Sequence, residues 1–178
     1  MGTRPIQVGV PNAEATAMTL MDRDIADRRR AATSKLVVLD LASVFPDWLG
    51  PVPPSELVAR SVLVRTLAEA RRDEDVFLIG CSVDMAWAAT EIFPGAAIFI
   101  EPEDPAEERE LSGQFLDRQR AGRFDELVIV SGDRRFLEVA EMFGESGRTV
   151  RVLTDRDSCD IVLNGEADVT VYFPEFSE

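Results

Sequence analysis

The sequence contains no histidine and only two cysteines, Cys81 and Cys159. Without histidine the chain lacks the commonest general base and the usual nitrogen ligand of zinc. Ser-His-Asp triads, Cys-His pairs and histidine-ligated zinc hydrolase sites are therefore excluded. The two cysteines are far apart in sequence and are expected to be small buried residues.

Long apolar runs and basic residues are also scarce. No stretch reaches the roughly 18 apolar residues of a membrane span, and the N-terminus lacks an apolar leader. We therefore expect a cytoplasmic protein with no membrane segment. The 33 acids exceed the 19 bases, which gives a net charge of −14. Because Lys and Arg drive non-specific nucleic-acid binding, this balance counts against a general nucleic-acid binder, but not against a locally acidic metal site.

The 178 residues are 46% hydrophobic and 29% charged, as in one soluble globular domain. Residues 1–34 have few aromatic or β-branched residues and are predicted to form a flexible arm. Residues 35–178 alternate short apolar runs with helical patterns. This alternation predicts an α/β three-layer sandwich with a mainly parallel central sheet of five to six strands.

The predicted elements follow one another along residues 35–178. The strands are Leu36–Leu41, Val76–Gly80, Ala97–Ile100, Leu127–Val130, Thr149–Leu153 and Val169–Phe173. The helices are Ser55–Arg72, with Ser55 as its N-cap, then Ser82–Ile92, Pro105–Arg120, Arg134–Phe143 and Ser158–Leu163.

Two aspartates stand where predicted strands end. Asp40 lies near the end of the first strand, and Asp133 follows the central strand. Ligands of open parallel sheets bind outside the carboxyl ends of the strands. We therefore expect the two carboxylates to meet, and a divalent cation would relieve their repulsion. A carboxylate between Leu39 and Leu41 would be costly to bury without such a partner.

The residues around Asp133 resemble a known family. The run 127–136, LVIVSGDRRF, is followed by a Gly-Arg-Thr-Val strand start at 147–150 and by Ala167-Asp168. This order is similar to the end of NYN domains of the PIN-like nuclease superfamily, where strand, SGDxDF, helix, strand and a late aspartate recur. The resemblance is specific over about fifty residues. In the first strand, Asp40 matches the aspartate of the family, and Ser43 stands where its asparagine is expected.

The resemblance implies a metal-dependent ribonuclease. Counting back from Ser131 through Gly122 and Asp125 places the third acid of the family at Glu108, although the lysine and glycine of its motif are missing. Asp40, Glu108 and Asp133 would hold Mg²⁺ or Mn²⁺, which would activate water for hydrolysis of an RNA phosphodiester. Ser43, Ser131 and Asp168 would orient water or ligands around the metal.

Arg135 departs from the family, because it replaces the second aspartate of SGDxD. The local charge changes by two units, each worth roughly 4 kcal/mol at ~4 Å in an effective dielectric of about 20. This change argues against two cations. Arg135 either points away from the pocket or binds a phosphate in place of a second ion.

Two functions stay open at this point. One is the metal-dependent ribonuclease, and the other is a catalytically inactive PIN-like module that recruits a protein partner or a second copy of the chain. Each acid also has a structural interpretation, with Asp133 and Asp168 as caps and Glu108 as a helix N-terminal acid. A HAD-type phosphatase is disfavoured by Ala42, and a dinucleotide binder by the absence of a glycine-rich turn.

Overall fold

A computed structural model describes residues 34–45, 53–71, 74–100 and 123–174. Its described strands form one six-stranded sheet in which every pairing is parallel. The strands are β1 Lys35–Asp40, β2 Val76–Cys81, β3 Ala97–Ile100, β4 Glu126–Val130, β5 Thr149–Thr154 and β6 Val169–Tyr172. The predicted helix Pro105–Arg120, with Glu108, and residues 1–33 of the predicted arm lie outside the described residues.

Five α-helices lie among the described residues between these strands. They are α1 Leu41–Val44, α2 Pro54–Leu67, α3 Ala86–Ile92, α4 Leu137–Glu145 and α5 Ile161–Glu166. Short 3₁₀ turns precede three of them, at Val83–Met85, Arg134–Phe136 and Arg156–Ser158.

The sheet lies between two layers of helices. On one face, Val37 and Leu39 of β1 pack with α2 and α3 through residues such as Val64 and Ala88. On the other face, Leu36 and Val38 belong to the cluster that contains α4 and α5. Both faces of β1 are therefore buried, which explains the continuous apolar run in its sequence. The predicted α/β three-layer sandwich is confirmed.

Several predicted boundaries differ from the structure, and three of them have an evident physical reason. Helix α2 begins at Pro54, with Pro53 as its N-cap, so the predicted capping role of Ser55 is wrong. Proline suits this first helical position because its missing N–H would have no helical partner there. Leu41 begins α1 instead of ending β1, since the Asp40 carboxylate caps that helix. Helix α2 ends at Leu67, before the left-handed Glu69 with φ 51°.

The strand order is β3-β2-β1-β4-β5-β6. The chain winds outward from β1 to β3, then crosses back to β4 on the other side of β1. Such a reversal leaves a crevice at the carboxyl ends of the two central strands. Register pairs Leu39 with Val130, so Asp40 and Ser131 leave the sheet side by side.

Near the opposite end of the sheet, where the strands begin, four charged side chains form a closed ring of ion pairs. The Lys35 ammonium contacts the carboxylates of Glu126 at 3.1 Å and Glu69 at 3.6 Å, and it donates to the carbonyl of Ala68. Arg151 contacts the same two carboxylates at 2.9 and 3.3 Å. The ring joins the end of α2 to three strands. Lys35 and Glu126 are buried, and each is neutralised by its neighbours, as a buried charge requires.

No helix among the described residues is long and apolar enough to cross a bilayer.

Candidate functional site

Asp40 is the buried centre of the crevice between β1 and β4. Its Oδ1 accepts a hydrogen bond from the backbone N–H of Ala42, 3.0 Å away. Its Oδ2 accepts one from the Ser43 hydroxyl at 2.7 Å and a longer one from the Ser131 hydroxyl at 3.3 Å. The sequence places this carboxylate here because β1 ends at Asp40 and α1 starts at the next residue.

The two predicted serines are brought together at Asp40. Their hydroxyl oxygens are 3.0 Å apart, and Ser131 is fully buried. The Ser131 hydroxyl also accepts a hydrogen bond from the backbone N–H of Asp133. These bonds link the loops that follow the two central strands and place both hydroxyls beside Asp40, while the role of the serines in orienting water or ligands stays a prediction.

Asp133 reaches the same crevice but is far more open to solvent. Its side chain is 54% exposed, and its Oδ1 accepts from the backbone N–H of Arg135 at 2.8 Å. This bond caps the 3₁₀ turn before α4, which is the structural role that the sequence left open for Asp133.

Arg135 points into the crevice, which excludes the first of the two alternatives that the sequence left open, that it points away from the pocket. Its Nη2 lies 2.8 Å from Oδ2 of Asp40, and its Nε lies 4.0 Å from Oδ2 of Asp133. The guanidinium also lies over the ring of Phe136, 5.1 Å from its centroid. Both predicted metal-side carboxylates therefore contact one guanidinium. Asp40, the more buried of the two carboxylates, makes the shorter contact.

Gly132 fits a space that no other residue could occupy. A Cβ at this position would lie 2.1 Å from the carbonyl oxygen of Ser158 and 2.6 Å from the hydroxyl of Thr154. The Gly132 carbonyl also accepts from the backbone N–H of Asp160. The glycine of the SGD run thus lets the loop after β4 pack directly on the loop after β5.

Asp168 does not belong to this site. It precedes β6, and its Oδ2 accepts from the backbone N–H of Val150 near the start of β5. In a parallel sheet all strands begin at the same end, so the start of β6 lies at the end of the sheet opposite Asp40. For strands of five residues the two ends are about 15 Å apart. The predicted role of Asp168 in orienting water or ligand is wrong, because the carboxylate holds the ends of β5 and β6 together.

The described side chains do not fit a divalent cation as they are arranged. The Asp40 oxygen that a cation would need already contacts Arg135 and two hydroxyl groups. Over the described ranges, no three Asp, Glu, Cys or His side chains converge as ligands. Glu108, the third ligand that the family resemblance implied, lies outside those ranges. The contact of Asp40 with Arg135 is therefore an ion pair where the resemblance implied a metal.

Cys159, in the loop after β5, is not activated as a nucleophile. Burial, with the neighbouring Asp160 carboxylate, raises the pKa of the Cys159 thiol. A thiol with a raised pKa stays protonated at neutral pH and is a poor nucleophile. Cys81 is buried at the end of β2.

Sequence reasoning missed two features of the domain. The ion pair of Arg135 with Asp40 could have been foreseen, since an arginine two residues after Asp133 faces a carboxylate that burial leaves in need of a partner. The ring around Lys35 and Glu126 also had a signal. Each of these charged residues begins a strand and is followed by a run of four apolar residues.

The fold and the crevice define a doubly wound parallel α/β domain with a polar site at its switch point. No family model and no curated protein matches the chain. Among solved structures, the chain is similar to the crystal structure of a protein of unknown function from Vibrio parahaemolyticus RIMD 2210633. The TM-score is 0.58 at 12% identity, over 80% of this chain and 94% of that chain. A likeness at this identity shows the shared fold alone.

Proposed function

We propose that this chain is a PIN-like domain of the NYN type that acts as a binding module without a divalent metal. The observation that carries the proposal is the 2.8 Å contact between the Arg135 guanidinium and the Asp40 carboxylate. Arg135 stands where the family resemblance expects an aspartate. A carboxylate that would bind the metal is thereby replaced by the guanidinium cation of Arg135.

The contact supports the loss of metal dependence on energetic grounds. A cation bound to Asp40 would have to displace the guanidinium and sit beside its positive charge. At about 4 Å in an effective dielectric of about 20, each pair of unit charges interacts by roughly 4 kcal/mol. The same pair also lets Asp40 stay buried without a metal, because a buried carboxylate is tolerated when it is paired and hydrogen-bonded.

The charge of the chain favours a protein partner over RNA. A net charge of −14 repels the phosphate backbone, and the affinity of general nucleic-acid binders comes largely from Lys and Arg. The proposed module therefore recruits a protein through the surface around the crevice.

Metal titration with a parallel RNA cleavage assay tests the proposal. The wild-type chain should show no rise in thermal midpoint with Mn²⁺ or Mg²⁺ beyond that of Asp40→Asn, and no cleavage of single-stranded RNA. An ion that binds only the folded state must stabilise it by mass action, so a working site would be visible. A metal-dependent rise that Asp40→Asn removes would overturn the proposal.

A metal-dependent ribonuclease that uses Mg²⁺ or Mn²⁺ is the second candidate. It is favoured because Asp40 and Asp133 both contact one guanidinium, at 2.8 and 4.0 Å. If Arg135 swung out on substrate binding, one cation could reach both carboxylates. In that case metal binding should strengthen when RNA is present, and cleavage should require Asp40 and Asp133.

A further inference from the structure

Large apolar side chains are exposed on the loops and helix starts that follow the strands. Trp87 is 64% exposed and Ile161 is 83% exposed, and Val83 and Val162 beside them are also open. Exposed apolar residues scattered singly need no explanation, but a group of them around one site marks an interaction surface.

The topology puts these residues on both sides of the crevice. Val83 and Trp87 follow β2, while Ile161 and Val162 follow β5 through one short loop. Strands β1 and β4, at whose carboxyl ends the ion pair lies, are between them. The two apolar groups are three strand spacings apart along the sheet, about 14 Å at about 4.8 Å per spacing, and their helices α3 and α5 lie on opposite faces of it. We call this region the upper surface, defined by these four residues and the crevice.

The upper surface is also acidic. Among the described residues of its loops, five exposed or half-buried acids outnumber two bases, Arg134 and Arg156, while the positive charge of Arg135 faces Asp40. The acids are Asp84, Asp133, Asp155, Asp157 and Asp160. A partner that covers this surface must supply positive charge as well as apolar side chains.

We propose that the upper surface binds a protein segment that carries Lys or Arg residues between aliphatic or aromatic ones. The proposal rests on the binding function proposed above and names its partner class. The apolar side chains of the segment would pack on Trp87 and Ile161, and its cations would face the aspartates between them. Tryptophan is enriched among the few residues that contribute most of the binding energy of an interface.

Charge complementarity distinguishes this occupant from the alternatives. RNA would bring further negative charge to an acidic surface. A second copy of the chain would bring another net charge of −14. Like charges placed against each other oppose association, so a basic segment fits where neither of these does.

Peptide selection tests the proposal with a defined probe. Short random peptides displayed on phage are selected on the wild-type chain, and the enriched sequences are synthesised for binding measurements. We expect enriched peptides to be net positive and to contain aromatic or aliphatic residues. Trp87→Gln and Ile161→Thr should each weaken their binding by about tenfold or more.

Matched variants at the opposite edge provide the control. Val76 and Val169 begin β2 and β6 and are also exposed apolar residues, at 41% and 40%, so Val76→Thr and Val169→Thr should leave peptide affinity unchanged. Thermal midpoints establish that each variant folds. Failure of both upper-surface variants to fold would overturn the proposal, since the two side chains would then be structural. Enrichment of acidic peptides, no enrichment, or equal losses in the control variants would also overturn it.

The metal titration separates failure of this proposal from failure of the binding function. If the wild-type chain gains stability from Mn²⁺ through Asp40, the binding function itself is overturned. If metal has no effect and the upper-surface variants bind peptides as the wild type does, the binding function stands and only the basic-segment proposal falls.

Discussion

The guanidinium of Arg135 lies 2.8 Å from Oδ2 of Asp40, across the crevice between the two central strands. The pair joins the loop after β4 to the end of β1, and the Ser43 and Ser131 hydroxyls complete the shell of Asp40. A buried carboxylate with these partners is satisfied without any ligand. The contact therefore serves both the stability of the domain and its proposed loss of metal dependence.

Replacement of Arg135 should show how much this contact contributes to the free energy of unfolding. Arg135→Gln leaves the Asp40 carboxylate buried without its cation, and we expect a loss of about 2 kcal/mol in the free energy of unfolding. This is less than the full cost of breaking a buried pair, because Arg135 is partly exposed. Arg135→Lys keeps the charge and should lose about 1 kcal/mol. Urea denaturation measures both, and equal losses would show that charge is not the cause.

Gly132→Ala should be among the most damaging small substitutions in the domain. The added Cβ would meet the backbone carbonyl of Ser158, which cannot move without its loop. We expect a loss of about 3 kcal/mol in the free energy of unfolding. Gly144→Ala in α4 is the control, since a Cβ there meets nothing within 4 Å. It should stabilise the chain by about 0.5–1 kcal/mol through helix propensity. A mild effect of Gly132→Ala would contradict the tight packing of the two loops.

The ion ring predicts a pH dependence at Glu69. Arg151, and to a smaller extent Lys35, lower the pKa of the Glu69 carboxyl from 4.5. A lowered pKa in the folded state contributes stability that is present above the unfolded pKa and is lost as pH falls through the folded one. Wild type should therefore exceed Glu69→Gln in stability at pH 7, and the difference should shrink only below about pH 4.5.

Denaturation of both proteins between neutral and acidic pH measures this difference. The same comparison in an Arg151→Met background is the control, because the largest cause of the lowered pKa is then removed. The difference should be smaller there. A difference that does not change with pH, or that persists fully without Arg151, would contradict the assignment.

Asp168 should behave as a structural residue. Asp168→Ala removes the acceptor for the backbone N–H of Val150, and we expect a loss of about 1–2 kcal/mol in the free energy of unfolding. Asp168→Asn keeps an acceptor oxygen and should lose less. Thermal denaturation measures both, and peptide binding to the upper surface should be unaffected in either variant. A loss of peptide binding without a loss of stability would contradict the structural role and indicate that Asp168 belongs to the functional site.

The arrangement of the sheet was largely predictable from sequence, because buried parallel strands need continuous apolar runs. The strands at Leu127 and Ala97 were found within one residue of their observed bounds. The prediction that Asp40 and Asp133 lie near each other came from the same reasoning, since parallel strand ends converge, whereas Ser43 and Ser131 were placed at the site by the family resemblance. The direction of Arg135 and the place of Asp168 did not follow. Both depend on tertiary partners, Asp40 and the N–H of Val150, that local patterns do not specify.

The central claim is that Arg135 takes the place of a divalent cation beside Asp40. Its most direct test is Mn²⁺ titration of Arg135→Asp, followed by thermal denaturation, with wild type and the neighbouring Arg134→Asp as matched controls. We expect Arg135→Asp to be destabilised without metal by repulsion among its carboxylates and to regain stability as Mn²⁺ is added. Wild type and Arg134→Asp should not respond. A response by wild type equal to that of Arg135→Asp, or no response by any of the three, would contradict the account.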